Sequence, residues 1–287
     1  VGLFRTESTF LRKNEIPTED QQVDDYLSLV SAANGKPVTI RTLDLGGDKI
    51  LDSIGREKEE NPFMGFRAIR YCLRHPAIFL DQLRAILRVS AHGPVHIMFP
   101  MISGVGEIIR AKEFLTKAKA QLQERGIDFD QGIKVGCMIE TPSAVTISDM
   151  LADEVDFFSV GTNDLVQYLL AVDRINNEIS YLYEPHHPAV IRAIEQIARV
   201  SKEKNIEVTL CGEIAGDPHF LPLLIGLGVD ALSATSTMLP ELKFFGRRFT
   251  MAEVHELRSK IMEMRRPSEI KECLKSFYEE RVSELII

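Results

Sequence analysis

KVGCMIETPSAVTISDMLADEVDFFSVG, residues 134–161, opens and closes on short apolar runs, Lys134 to Glu140 and Asp156 to Gly161, with a stretch of helical length between them. Runs that stay apolar, without polar alternation, are the pattern of strands buried on both faces, as parallel strands are. The same alternation recurs in both directions along the chain, which argues for βα units and a parallel sheet. Six further strands are expected, at Gly2 to Thr6, Val38 to Leu43, Phe66 to Arg70, Val95 to Met101, Glu207 to Cys211 and Ala231 to Ala234. Eight such units predict an α/β fold, a (β/α)8 TIM-type barrel over residues 1–287 as a single domain. Residues after about Phe249 read as closing C-terminal helices.

The helices announce themselves by their caps. Thr18 with Gln21 and Thr250 with Glu253 make capping boxes, and Pro76 and Pro188 stand where proline opens a helix. From Pro188 to Lys204, Ile191, Ile194, Ile197 and Ala198 recur at helical spacing on one face.

Composition narrows the class. The chain has 287 residues, 45% hydrophobic and 26% charged, with a net charge of −8. That is an ordinary globular composition, and the acidic balance argues against nucleic acid or an anionic membrane as partner. No apolar run approaches the roughly 18 residues of a membrane span, and no signal peptide is evident. Four widely spaced cysteines (Cys72, Cys137, Cys211, Cys273) form no CxxC pair and read as reduced thiols of a cytoplasmic protein. The chain opens at Val1, inside a strand-like segment, which suggests a fragment or an excised domain.

In a barrel of this kind, chemistry sits at the C-terminal ends of the strands and in the loops that follow. There the sequence places Arg5, Thr6 and Glu7; Arg41, Asp44, Asp48 and Lys49; Arg67; Glu140 and Thr141; Asn163 and Asp164, with Arg174 ten residues on; and Cys211, Glu213 and Asp217. Arginines within apolar strands are costly unless partnered. Arg5, Arg41 and Arg67 therefore have two readings: separate ion pairs with Glu7, Asp44 or Asp48, or a cationic pocket whose guanidinium forks match a phosphate. Glu140 and Asp164 are either hydrogen-bonded structural carboxylates or ligands of one Mg²⁺, which takes one or two protein carboxylates and completes its shell with water and substrate. Cys72, Cys137 and Cys273 read as packing, whereas Cys211 ends a strand before Gly212, where its thiol is either packing or pocket-facing. Five of the seven histidines sit beside proline or glycine and none has metal-ligand spacing, so they read as structural.

One segment, DFFSVGTNDLVQYLLAVDR from Asp156 to Arg174, resembles the signature of the phosphoenolpyruvate-utilising enzymes. Within them the chain is most similar to the enzyme I family of the bacterial sugar phosphotransferase system. GLFRTE, TIRTLDLGGDK, NPFMGFRAIR, IMFPMI, MIETPSA and CGEIAGD follow in the same order and spacing. The resemblance implies a phosphoenolpyruvate-binding barrel that forms a homodimer. It implies Glu140 and Asp164 as Mg²⁺ ligands, and Arg5, Arg41, Arg67 and Arg174 around phosphate and carboxylate, assisted by Asn163 and Lys49. It makes Cys211 the acid that protonates the enolate carbon to give pyruvate. The residue types suit that chemistry, because arginines and Mg²⁺ neutralise a transferring phosphoryl group. A thiol, with a reference pKa of about 8.5, holds a proton to donate at neutral pH. The phosphoacceptor histidine and the helical region that docks the phosphocarrier protein have no counterpart in this sequence. The carrier is thus expected as a partner only through a missing N-terminal region, and the isolated chain is expected not to complete the transfer. LPELKFFGRRF, residues 239–249, resembles the family only loosely and is assigned no site residue.

Three other readings compete. A fragment of pyruvate phosphate dikinase or phosphoenolpyruvate synthase shares the barrel and the cysteine acid, but the close spacing of GTNDLVQY and AVDR favours the enzyme I pattern. A Mg²⁺-dependent aldolase or lyase of a 2-oxo acid needs the carboxylate pair but no arginine cluster. A non-catalytic dimerisation module needs neither.

Overall fold

The computed structural model describes residues 1–11, 16–45 and 59–282. Lys49, with the Gly46–Gly47 pair and Asp48 beside it, lies outside the described residues. Contacts divide the chain into two compact units, Val1–Met138 with Glu154–Asp156, and Ile139–Asp153 with Phe157–Ile287. The fold is α/β and of the TIM-barrel type, built from parallel strands that alternate with helices in chain order.

Unit one runs β1 (Phe4–Arg5), α1 (Glu7–Leu11), α2 (Glu19–Ala32), β2 (Val38–Arg41), α3 (Ala68–Arg74), α4 (Pro76–Ser90), β3 (Val95–Phe99), α5 (Val105–Glu124) and β4 (Lys134–Ile139). Its strands pair in parallel, β1 with β2, β2 with β3 and β3 with β4. Every residue of β2 is buried, as a strand covered on both faces must be. The Thr18 box closes in both directions: Thr18 N–H donates to Gln21 Oε1 at 3.0 Å, and Gln21 N–H to Thr18 Oγ1 at 3.3 Å. Helix α4 opens on Pro76 and buries Phe79, Leu80, Leu83, Ile86 and Leu87 on its inner face.

The strand expected at Phe66 to Arg70 is not formed. Arg67 is instead the N-cap of α3, with Ile69, Cys72 and Leu73 buried at helical spacing behind it. Chain direction changes at Ala68, whose φ of +54° is a left-handed conformation uncommon outside glycine, asparagine and aspartate. FRAIR, apolar at Phe66, Ala68 and Ile69, reads over five residues as a short strand, although its two arginines stand three apart as on a helix. The buried pattern becomes helical only when the four residues after it are included.

Unit two holds α6 (Pro142–Thr146), α7 (Ser148–Ala152), β5 (Phe157–Gly161), α8 (Thr162–Leu170), α9 (Pro188–Lys204), β6 (Glu207–Cys211), α10 (Glu213–Gly216), α11 (Leu221–Leu227) and β7 (Ala231–Ser233). It ends in α12 (Leu239–Phe245), α13 (Met251–Glu263) and α14 (Pro267–Val282), the expected C-terminal helices. Strands β5, β6 and β7 pair in parallel in that order. Ile191, Ile194, Ile197 and Ala198 are buried on the inner face of α9, as their spacing predicts. Phe245 is buried against Phe249, Phe277 and Tyr278, so LPELKFFGRRF anchors the C-terminal helices through its aromatics. Seven strands are present among the described residues, at seven of the eight expected places.

Candidate functional site

Unit one gathers the buried arginines. Arg41 ends β2 and donates from Nη2 to Glu7 Oε1 at 2.5 Å; Glu7 is the first residue of α1. Arg41 Nη1 also lies 3.1 Å from Asp44 Oδ2. Arg67, brought in by the N-cap of α3, grips the same carboxylate with two bonds, Nε to Oδ1 at 3.0 Å and Nη2 to Oδ2 at 2.8 Å. All four side chains are buried, between 3% and 8% exposed. The ion-pair reading of Arg41 and Arg67 is therefore realised in geometry, with Glu7 and Asp44 as partners. This does not remove them from chemistry. A guanidinium oriented by a carboxylate is a preorganised donor, held without help from a ligand.

Gln82 of α4 ties the backbone around these acids. Its Oε1 accepts from Leu43 N–H at 2.8 Å, and its Nε2 donates to Thr6 Oγ1 at 3.2 Å and to Tyr26 at 3.3 Å. Arg5 differs from the other two arginines: it ends β1 with its side chain exposed. The expectation that Arg5, Arg41 and Arg67 project alike from three successive strands is thus corrected, since only Arg5 and Arg41 stand on strands and only Arg41 and Arg67 are buried.

Unit two gathers the carboxylates and the thiol. Glu140 follows β4 and is 2% exposed; Asp164, in the first turn of α8, is 6% exposed. Arg174 donates from Nη1 to Asp164 Oδ1 at 3.0 Å, and its backbone N–H is held by Gln167 Oε1 at 3.2 Å. Two buried carboxylates are the donor set a hard cation such as Mg²⁺ takes from a protein. No cluster of three or more His, Cys, Asp or Glu occurs among the described residues.

Asn163 sits beside Asp164. Its Oδ1 accepts from Glu213 N–H at 2.9 Å, its Nδ2 lies 3.4 Å from Glu213 Oε1, and its carbonyl accepts from Tyr183 Oη at 3.3 Å. Tyr183 also shares a hydrogen bond with Arg174. Burial, and after it the Glu213 carboxylate, push the Tyr183 hydroxyl up to about 12, so it remains a donor at neutral pH. Cys211 ends β6 and is buried, its Sγ 3.4 Å from the Val160 carbonyl and 3.8 Å from Ser159 Oγ.

Cys72 and Cys137 are buried too, while Cys273 is half-buried in a groove of about 690 Å³ between α13 and α14 that holds none of the expected site residues. Burial, with Asp44 behind it, pushes the Cys72 thiol up, as suits a packed side chain. Four histidines bond within their own turns: His75 to the Tyr71 carbonyl, His186 to Glu184, His187 to Ala189 N–H and His219 to Asp217.

The model of the PEP-binding domain of PEP-utilising enzymes matches residues 1–250. A phosphoenolpyruvate-protein phosphotransferase from Priestia megaterium is 44% identical over 278 residues, 97% of this chain and 48% of the relative. Proteins of the same name from Buchnera aphidicola and Bacillus subtilis are 45% and 43% identical, over 96% and 94% of the chain and 49% and 47% of their own lengths. The chain thus spans about half the length of the curated relatives it matches. Among solved structures, a citrate lyase from Burkholderia xenovorans LB400 aligns with a TM-score of 0.52 at 16% identity, covering 93% of this chain and 79% of that one. A Haloferax volcanii malate synthase aligns with a TM-score of 0.52 at 15% identity, over 79% and 60%. These two show a shared fold alone. The chain belongs to the PEP-utilising enzyme family, as its PEP-binding domain.

Proposed function

We propose that this PEP-binding domain is the phosphoenolpyruvate half of a phosphoenolpyruvate-protein phosphotransferase, binding its ligand with Mg²⁺ and releasing pyruvate. The phosphoryl group would pass to a histidine on an N-terminal region of the longer protein, in the first step of sugar phosphotransferase uptake. The observation that carries the metal part is the pair of buried carboxylates in unit two, Glu140 and Asp164, of which Asp164 is oriented by Arg174. Two carboxylates at this depth are a donor set that Mg²⁺ takes from a protein, completing its shell with water and ligand oxygens.

In this reading Arg41 and Arg67 meet the phosphoryl and carboxylate oxygens with guanidiniums already fixed by Glu7 and Asp44, and Arg5, Arg174, Asn163 and Lys49 complete the recognition. Mg²⁺, when bound, neutralises charge on the phosphoryl and enolate oxygens. Cys211 gives the thiol proton to the methylene carbon of the enolate, forming the pyruvate methyl group and leaving a thiolate for solvent to reprotonate. A homodimer and a cytoplasmic setting belong to the same reading. No helix among the described residues is long and apolar enough to cross a membrane.

Calorimetry on the isolated chain tests the ligand and the metal together. Phosphoenolpyruvate should bind only with Mg²⁺ present, and Glu140→Ala and Asp164→Ala should each abolish binding. Unchanged binding in both variants would sink the metal assignment. Cys211→Ala should still bind, yet form no pyruvate when an N-terminal region supplies the histidine; pyruvate at the normal rate would require another acid.

A further inference from the structure

The turn that carries Cys211 is held by the first two residues of α8. Thr162 Oγ1 donates to the Cys211 carbonyl at 2.7 Å, with both residues buried. One residue on, Asn163 Oδ1 accepts from Glu213 N–H at 2.9 Å. Between these two bonds stands Gly212 at φ +95°, a conformation L side chains rarely adopt. A Cβ on Gly212 would collide with both Thr162 Oγ1 and Asn163 Oδ1. Three consecutive residues of the turn are thus fixed against two consecutive residues of α8, and the glycine permits the close approach. The other buried thiols stand elsewhere: Cys72 sits within α3 with its Sγ 3.8 Å from the Leu43 carbonyl, and Cys137 lies inside β4.

We propose that Thr162 is a positioning residue for Cys211, with Asn163 and Glu213 holding the far side of the same turn. This rests on the reading of Cys211 as the proton donor in phosphoenolpyruvate turnover. Bonding the Cys211 carbonyl fixes its peptide plane and therefore the direction of its Cα–Cβ bond. The Val160 carbonyl and Ser159 hydroxyl then set the thiol along that direction. Proton transfer to carbon tolerates little misalignment, and a displacement near 1 Å is enough to cost on the order of 10²-fold in rate. Thr162 and Asn163 belong to the GTNDL segment that also supplies Asp164. One helix start therefore aligns the proton donor while presenting a carboxylate to the metal.

The partial reaction that isolates this role needs no phosphoacceptor. With Mg²⁺ and pyruvate in D2O, the Cys211 thiolate removes a methyl proton, and the electron pair of that C–H bond passes into the enolate. Exchange of the S–H proton with solvent and return of a deuteron to carbon then leave deuterated pyruvate, which proton NMR follows. Thr162→Ala should lower exchange at saturating pyruvate by about tenfold or more, with the loss in maximal rate and not in half-saturation. Iodoacetamide should modify Cys211 several-fold faster in that variant, followed peptide by peptide. Thr162→Ser keeps the hydroxyl and should restore both readouts.

A maximal rate equal to wild type in folded Thr162→Ala overturns the proposal, as does a loss in Thr162→Ser as large as in Thr162→Ala. Should Thr162→Ala not fold, Glu213→Ala removes only a side-chain contact on the exposed side of the turn; its exchange should fall by a smaller factor, and an unchanged rate there overturns the proposal. If wild type exchanges no faster than Cys211→Ala, the functional reading fails instead. The alkylation comparison then still decides whether Thr162 positions the thiol.

Discussion

Unit one and unit two use charge in different ways. In unit one, two arginines and two carboxylates neutralise one another inside the protein, and Asp44 receives contacts from both guanidiniums. In unit two, Asp164 is buried but its partner Arg174 keeps about a third of its side chain exposed, and the thiol is placed by backbone carbonyls and hydroxyls. In the first arrangement the members depend on one another for burial. The second leaves part of its charge in reach of solvent. Removing a carboxylate from unit one should therefore read mainly as lost stability, and removing one from unit two mainly as lost ligand.

Asp44→Ala is the strongest way to break this contrast. It takes one carboxylate from Arg41 and both fork bonds from Arg67, so denaturant unfolding should show a loss of about 3–5 kcal/mol. A loss under about 1 kcal/mol would mean that the network is solvated and the contrast false. Glu7→Ala should cost less, about 1–3 kcal/mol, because Arg41 keeps Asp44 at 3.1 Å. In unit two, Asp164→Asn keeps the shape and a hydrogen-bond acceptor for a partly exposed arginine, so stability should change by no more than about 1 kcal/mol. The same substitution should remove Mg²⁺-dependent phosphoenolpyruvate binding in calorimetry. An Asp164→Asn chain that unfolds easily but, at low temperature, still binds ligand would reverse the comparison.

The contrast also explains what was legible in the sequence. Strands β2, β4, β5 and β6 are apolar runs closed by polar residues, and both features survive into the structure because parallel strands bury both faces. The Thr18 and Thr250 boxes were legible because capping is local chemistry over four residues. The strand expected over Phe66 to Arg70 failed because five residues cannot separate a period of 2 from one of 3.6, and because the turn at Ala68 uses a φ that alanine does not advertise. Among the candidate site residues, position at a strand end singled out Arg41, Glu140 and Cys211 as candidates, while the role proposed for Cys211 came from the family resemblance. Their supports were not. Gln82 lies 76 residues from the Thr6 hydroxyl it holds, and Tyr183 lies 20 from the Asn163 carbonyl. Only the fold makes such pairs adjacent. Glu7 and Asp44 were weighed as ion-pair partners, yet spacing cannot tell a structural pair from a preorganised one.

The smallest effect is expected where charge is neither buried nor near the site, at the N-terminus of α13. Glu253 closes the Thr250 capping box: its Oε2 accepts from Thr250 N–H at 2.7 Å and from Thr250 Oγ1 at 2.8 Å, while its Oε1 accepts from Arg281 at 2.7 Å. These bonds, the Thr250 backbone first and Arg281 next, hold its carboxyl at about 2, below the ordinary 4.5. A depressed carboxyl pKa means that the unfolded chain takes up a proton first as pH falls. The stabilisation is therefore fully present above pH 4.5 and is lost progressively as pH falls towards 2. Melting temperatures of wild type and Glu253→Gln should differ in favour of wild type at neutral pH and converge across that window. Because the Glu253 side chain is 39% exposed and solvent screens the pair in part, the difference should be smaller than for any substitution in the unit-one network. A difference that stayed constant down to pH 2 would assign the cap's strength to geometry shared by the amide, leaving charge with no role at this exposed end of unit two.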